Sequence, residues 1–443
     1  MPVNGKRLGE LMLKKIRGLM AFISLVGLSL FLLNCGSSNS RPSGVLLVTS
    51  QGASTVGSYA IDLGNGHLSL INTTATTCPA SPCGFPEAIV LDPTGATAFV
   101  LDQGAPSNSP PVPPMIYAYT VGTDGKLAAT GSPVKVGTSL DADPLTADTA
   151  TAMARDADGK FLFVVSQGAI VPPDGCATVP PPANGCPAIS VFSMQSGSAG
   201  LSPVAGSPFI LGRVPTSVAP VTYTISNSNP AVTKTLLYVT ANEDLGGTND
   251  NTVSVFNVDS SGVLTPQTIP TYATASNPSA VLALNLTPTG GASEVFVYVT
   301  NVTTNNINVF QVCTVVNADC TQADVDTAKM TAVGSPVSVG QDPVAFTVDS
   351  TKNFMYVVNR NSNSVSGFRV NQSTGGLALL NTASASTGTN PVALTLHPNG
   401  EFLYVSNSGS DNISAFTVST VNGSLGTLAT VTSSAQPAGL VAK

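Results

Sequence analysis

Seven times along this chain, a short run of aromatic and β-branched residues ends in a small or polar one. The clearest copies are Tyr404-Val405-Ser406-Asn407, Tyr356-Val357-Val358-Asn359, Tyr298-Val299-Thr300-Asn301 and Tyr238-Val239-Thr240-Ala241. More diverged copies are Phe163-Val164-Val165-Ser166, Phe99-Val100-Leu101-Asp102 and Leu47-Val48-Thr49-Ser50. Such residues suit a pleated, buried surface, so each run reads as a strand. Repetition at this spacing marks one supersecondary unit that cannot bury its faces alone and must stack on copies of itself.

The unit is plainest between Pro391 and Val431. Val392, Leu394 and Leu396 form one apolar run, Pro398-Asn399-Gly400 turns the chain, and Phe402 to Val405 form the next. A polar loop from Asn407 to Asp411 leads into Ile413–Val418, and Asn422-Gly423 turns into a fourth strand. A Pro-initiated strand precedes most copies, at Pro86, Pro215, Pro278, Pro343 and Pro391, and the first copy has none. The missing piece lies at the other end, where Gln436-Pro437-Ala438-Gly439-Leu440-Val441 has the form of a leading strand with nothing after it. The expected fold is all-β: a seven-bladed β-propeller of four-stranded antiparallel blades, its ring closed by the C-terminal strand pairing into the first blade. An open β-solenoid is the alternative, and it leaves both the missing and the spare strand unexplained.

Composition agrees. Only 9% of residues are charged and Trp is absent, which fits many short strands and turns better than amphipathic helices. Residues 1–34 read as a signal peptide. Lys6, Arg7, Lys14, Lys15 and Arg17 precede an apolar run from Gly18 to Leu33, and Asn34-Cys35-Gly36 follows. This ending resembles a bacterial lipobox, in which Cys35 is lipidated and begins the mature chain. A plain signal peptide or an uncleaved anchor are the other readings, because Asn34 departs from the small residue usual before that Cys. Residues 35–44 then form a linker and residues 45–443 the propeller.

Cleavage leaves 12 Lys and Arg against 23 Asp and Glu, a net charge of −11. An acidic chain with no basic run is a poor partner for nucleic acid, so none is expected. The remaining cysteines fall into close pairs, Cys78/Cys83, Cys176/Cys186 and Cys313/Cys320, which in an exported chain read as loop-pinning disulfides. Metal ligation is disfavoured because the spacings are wrong and the two histidines, His67 and His397, lie far from them in sequence. No cofactor motif is present, and neither a metal nor a cofactor is expected.

The Tyr298-Val299-Thr300-Asn301 phrase, with the recurring Gly-Ser-Pro at Gly131, Gly206 and Gly334, resembles the YVTN and lactonase-type seven-bladed propellers related to 6-phosphogluconolactonase. The similarity runs from Val45 to the end and speaks to fold more than to activity. For an enzyme of this family it implies a His two residues after the Pro of an inner strand, facing the central channel. The matching positions are Ala88, Ser217, Ala280, Ala345, Ala393 and Gly439. None is His.

Hairpins alternate between the two ends of a blade, so strand 2-to-3 loops and blade-to-blade connections share one face. That face collects the long excursions at Gly104–Pro114, Gly168–Pro187 and Asn242–Asn251, with the Cys78/Cys83 loop and Asp141–Asp148. Loop growth on one face marks a binding face. Candidate binding residues there are Glu87, Glu243, Asp244, Asn301, Asn359, Arg360 and Asn407. Glu87 and Arg360, converging across the channel mouth, are the weak catalytic candidates. The three asparagines also read as side chains that tie down the loop after strand 2. Arg155 is expected to pair with Asp156 or Asp158, and His67 and His397 are expected to be turn residues.

The leading functional expectation is a non-catalytic binding module: a monomer of the bacterial envelope, periplasmic or surface, or secreted. It touches the membrane through its lipid alone and takes a saccharide, peptide or protein ligand. The alternative is a lactone hydrolase acting on a sugar lactone. The leader has its own test. In a bacterial host, Cys35→Ala is expected to abolish palmitate labelling and move the protein from the membrane to the soluble fraction. Unlabelled, soluble wild-type protein would leave the plain signal peptide.

Overall fold

The computed structural model describes residues 44–76, 85–104, 112–137, 149–168, 186–195, 197–225, 232–244, 247–288, 291–316, 320–380 and 384–443, except the side chains of 268–270. The leader, Cys35, Cys78, Cys83, Cys176 and most of the long excursions lie outside them. The described residues form seven antiparallel sheets. Each expected strand is found; in blade seven they are Pro391–Leu396, Phe402–Asn407 and Asn412–Val418. The fourth strand there is two short pieces, Leu425–Thr427 and Val431–Thr432, both paired to the third. It is the blade's outer edge, where no neighbour enforces a continuous ladder.

The ring closes as the sequence indicates. Gly44–Ser50 pairs on one side with Thr55–Ile61 and on the other with Pro437–Ala442, so the last strand of the chain is the innermost strand of blade one. Val45 and Lys443 exchange backbone hydrogen bonds of 2.9 Å in each direction.

Cores lie between blades. Second strands such as Phe354–Asn359 and Phe402–Asn407 are buried along their whole length because alternate side chains serve opposite neighbours. Phe402 and Tyr404 pack with Leu46, Tyr59 and Ile61 of blade one, while Leu403 and Val405 pack with Tyr356 and Val358 of blade six. This explains the repeated phrase position by position. Tyr298 Oη donates to the Gly375 carbonyl of the next blade at 2.8 Å, Tyr356 to Gly423 at 2.7 Å, and Tyr404 to Gly66 at 3.0 Å across the ring closure. Each of these glycines is in the left-handed region, at φ between 65° and 75°, and each sits against a Phe two residues before the Tyr. A Cβ on Gly375 would run into the Phe296 ring. The Val faces the preceding blade, and the Thr or Ser at the third position bonds toward the channel.

Tyr238 of blade four breaks the rule. Its hydroxyl is buried with no partner among the described residues. Blade five replaces the Gly turn after its third strand with the excursion closed by the Cys313–Cys320 disulfide and the short helix Gln322–Asp326, so the acceptor carbonyl is missing. Cys186 is disulfide-bonded too, and its partner lies outside the described residues.

A second repeated clip joins the strand 2-to-3 loops of blades four to seven to the connection entering the next blade. Asn251, Asn305, Asn363 and Asp411, all at positive φ, accept through Oδ1 from the backbone N–H of Asn277, Asp342, Asn390 and Gln436 at 2.7–2.8 Å.

Removing one joint should be measurable. Tyr356→Phe leaves the buried Gly423 carbonyl unpaired and is expected to cost about 1–3 kcal/mol in urea unfolding. Gly375→Ala, which adds a clash at a left-handed position, should cost more. Unchanged midpoints in both would remove the joint from the account of stability.

Candidate functional site

The free edges of the seven inner strands wall the central channel, since a propeller leaves its first strands unpaired on that side. The end of the channel that holds the blade-to-blade connections opens into a cavity of about 320 Å³ lined by all seven inner strands. Met153 and Leu282 line both this chamber and a second cavity, of about 900 Å³, at the opposite end. They form an apolar waist between the two.

Hydroxyls line the upper chamber, but most serve the ring. Thr216 Oγ1 lies 2.8 Å from the Pro278 carbonyl oxygen and Ser279 Oγ lies 2.6 Å from that of Pro343. Ser406 Oγ donates to Ala438 at 2.5 Å, and Thr49 Oγ1 reaches the Glu87 carbonyl of blade two at 3.4 Å. Each bond spans two blades, so these groups are poor nucleophiles: their protons are committed.

Glu87 is different. It follows Pro86 at the start of blade two's inner strand and projects a carboxylate into the chamber. The residue as a whole is half-buried, open on the channel side, while protein encloses its carboxyl elsewhere. Burial pushes this carboxyl up to about 7, and a hydrogen bond from Gln51 Nε2 to Oε2 opposes the shift without cancelling it. A carboxyl that titrates near neutrality can accept a proton at physiological pH and return it.

Gln51 shows a pattern that the sequence reading missed. It is the residue directly after the second strand, and its equivalents are Gln103, Gln167, Asn242, Val302, Arg360 and Ser408. Their backbone N–H groups, Asn242 excepted, donate to the residue before each inner strand, as Gln51 does to Gln436 and Gln103 to Phe85. They stand at the ends of the second strands, beside the entries to the inner strands that line the chamber. Counting one residue past each repeat would have found them.

Glu87 and Arg360 do not form the expected pair. Arg360 makes a two-pronged salt bridge to Asp342, with Nε to Oδ2 at 2.6 Å and Nη2 to Oδ1 at 3.2 Å, while Glu87 is held by Gln51. Asn301, Asn359 and Asn407 are fully buried and spend their amide N–H groups inside their own hairpins. Asn407 Nδ2, for example, donates to Asn412 Oδ1 at 2.7 Å and Ser414 Oγ at 2.9 Å. They are hairpin anchors, and burial withholds them from a ligand. Blade two carries Asp102 at this position, buried and pushed up to about 6, with Oδ1 accepting from the Gly104 N–H at 2.9 Å.

Glu243 and Asp244 stand on a hairpin of blade four that continues to Asn249, and Asp244 Oδ1 caps the Thr248 N–H at 2.8 Å. Asp250 beside them pairs with Arg213 at 2.6 Å. Among the described residues no cluster of His, Cys, Asp and Glu could hold a metal ion. Arg155 departs from expectation: it donates to the carbonyls of Leu91, Asp156 and Ala157, because the Asp156 carboxylate already accepts from the Lys160 and Phe161 N–H groups. His397 is a turn residue, its Nδ1 accepting from the Asn399 N–H at 3.2 Å, and His67 lies in the turn after Asn65.

The family described as lactonase, seven-bladed β-propeller, matches residues 234–392 and 382–441. These blades belong to the lactonase propeller family. Solved structures extend the lactonase likeness around the ring as a likeness of fold. The periplasmic gluconolactonase of Pseudomonas aeruginosa superposes with a TM-score of 0.65 at 17% identity, covering 90% of this chain and 99% of that one. A candidate 6-phosphogluconolactonase from Bacteroides fragilis gives 0.61 at 14%, covering 92% and 99%. One from Bacteroides uniformis gives 0.63 at 13%, covering 91% and 100%. No curated protein matches the sequence.

The raised Glu87 makes a stability prediction. The folded chain holds that proton up to about pH 7 and the unfolded chain releases it near 4.5. Stability should therefore fall as pH rises through that window. Glu87→Gln is expected to remove this slope, so that its urea midpoint gains on wild type between pH 5 and pH 8. Parallel curves would mean an ordinary, solvated carboxylate.

Proposed function

We propose that this chain is a lactone hydrolase in which Glu87 is the general base. The observation that carries the reading is a channel carboxyl, enclosed and bonded to Gln51, that titrates near neutrality. Membership of residues 234–441 in the lactonase family supports the reaction class. In the proposed reaction, the Glu87 carboxylate takes a proton from water and the hydroxide adds to the lactone carbonyl carbon. The oxyanion accepts from an N–H of Gln51. The ring C–O bond then breaks, and the leaving alkoxide takes the proton back from Glu87, giving the open hydroxy acid and the base regenerated. A carboxylate thereby takes the place of the channel His that this chain lacks.

The blade-four hairpin bearing Glu243 and Asp244 favours a second reading, in which this face holds a saccharide, peptide or protein without turnover. Export and a lipid on Cys35 belong to the proposal and rest on the leader.

The purified chain from residue 36 is expected to open glucono-δ-lactone faster than its spontaneous hydrolysis. Its kcat/KM should rise with pH through an apparent pKa near 7, and Glu87→Gln should lower it by about 100-fold or more. Failure of the wild type on this and on simple γ- and δ-lactones would leave the binding module standing.

A further inference from the structure

Two rings of residues surround the mouth of the upper chamber, and one blade departs from the rest in both. The first ring is the set following each second strand. Six of its members, Gln51, Gln103, Gln167, Asn242, Val302 and Ser408, carry no charge, and the seventh is Arg360. The second ring precedes each inner strand, where blades five and seven have Asn277 and Asn390 and blade one has Gln436, all at positive φ. Blade six has Asp342 there, at φ 60°, and no other member of this ring is acidic. Within a blade the two rings are joined by a backbone bond, and the Arg360 N–H donates to the Asp342 carbonyl at 2.8 Å. The one cation of the first ring and the one acid of the second are therefore partners, tied again by their two-pronged salt bridge. The Asp342 side chain is 6% exposed and that of Arg360 41%, so the acid is the buried member and the guanidinium reaches toward solvent.

This pairing leaves the chamber without an uncompensated positive charge. None of the described residues lining it is Lys, Arg or His, while Glu87 supplies a negative one. A phosphorylated ligand entering here would meet a carboxylate with no cation to offset it, in a setting that screens charge poorly.

We propose that Asp342 is a specificity-determining residue: by neutralising Arg360 it restricts the chamber to uncharged lactones and turns away phosphorylated ones. The inference rests on the channel being the ligand site proposed above. Asp342→Asn is the decisive variant, because Asn already occupies the same backbone position in blades five and seven, and it frees Arg360 at the rim.

The test uses isothermal titration with glucono-δ-lactam, which resists hydrolysis, and its 6-phosphate. Wild type is expected to bind the neutral lactam at least 30-fold more tightly than the phosphate. Asp342→Asn should bind the phosphate at least 10-fold more tightly than wild type does, with the neutral lactam unchanged. Adding Arg360→Gln to it should abolish the gain. Equal binding of both lactams by wild type, no gain in Asp342→Asn, or a gain that survives loss of Arg360 would each overturn the proposal. So would failure of wild type to bind either lactam. Selective binding without turnover of glucono-δ-lactone would instead sink the catalytic reading and leave the selectivity intact.

Discussion

The structure depends on the packing between neighbouring sheets, which blades five, six and seven tie with a repeated joint to the next blade. In its full form, a buried Tyr hydroxyl crosses to a glycine carbonyl in the next blade, and a Phe from the same strand packs against that glycine. Burial of the tyrosine supplies the hydrophobic term, and the hydroxyl avoids the penalty of an unpaired polar group. Because the cores lie between blades, a single blade has nothing to fold around. Closure by Pro437–Ala442 then gives blade one its inner strand and leaves no blade without two neighbours.

The chemistry of the channel follows from that arrangement. Inner strands present small residues and hydroxyls to the axis, and the hydroxyls are drawn into bonds between blades. What remains is one carboxyl without a cation beside it, above an apolar waist. Burial without ion pairing is the combination that raises a carboxylic acid toward neutrality. At the rim, charge is cancelled locally by Arg360 and Asp342, so the field inside the chamber is set mainly by Glu87.

Much of this was legible in the residues. The Tyr-Val-x-Asn phrase and the spare strand at Gln436–Val441 specified seven blades and the closure, because period-two burial and unpaired edges leave few alternatives. The motif's own asparagines misled as binding candidates. Their recurrence reflects a structural duty in the hairpin, and repeated residues in a repeat protein serve the repeat. Glu87 was visible as an oddity beside Pro86, but its partner was not, since Gln51 lies in another blade. Arg360 was likewise visible, whereas its neutralisation by Asp342 depends on the register of the blade-six hairpin, which sets the two side by side just past Pro343 and Asn359.

Sequence alone therefore determined the architecture, which rests on local patterning repeated many times, so that each copy supports the reading of the others. Only the tertiary structure decided which charges are free. Proton affinity and charge compensation depend on enclosure and on neighbours brought in from distant parts of the chain. Gln51 reaches Glu87 from the adjoining blade, and Asp342 folds back onto Arg360. The first contact is set by how blade one packs on blade two, and the second by the register of the blade-six hairpin, which places Asp342 and Arg360 just past the Pro343–Asn359 pair.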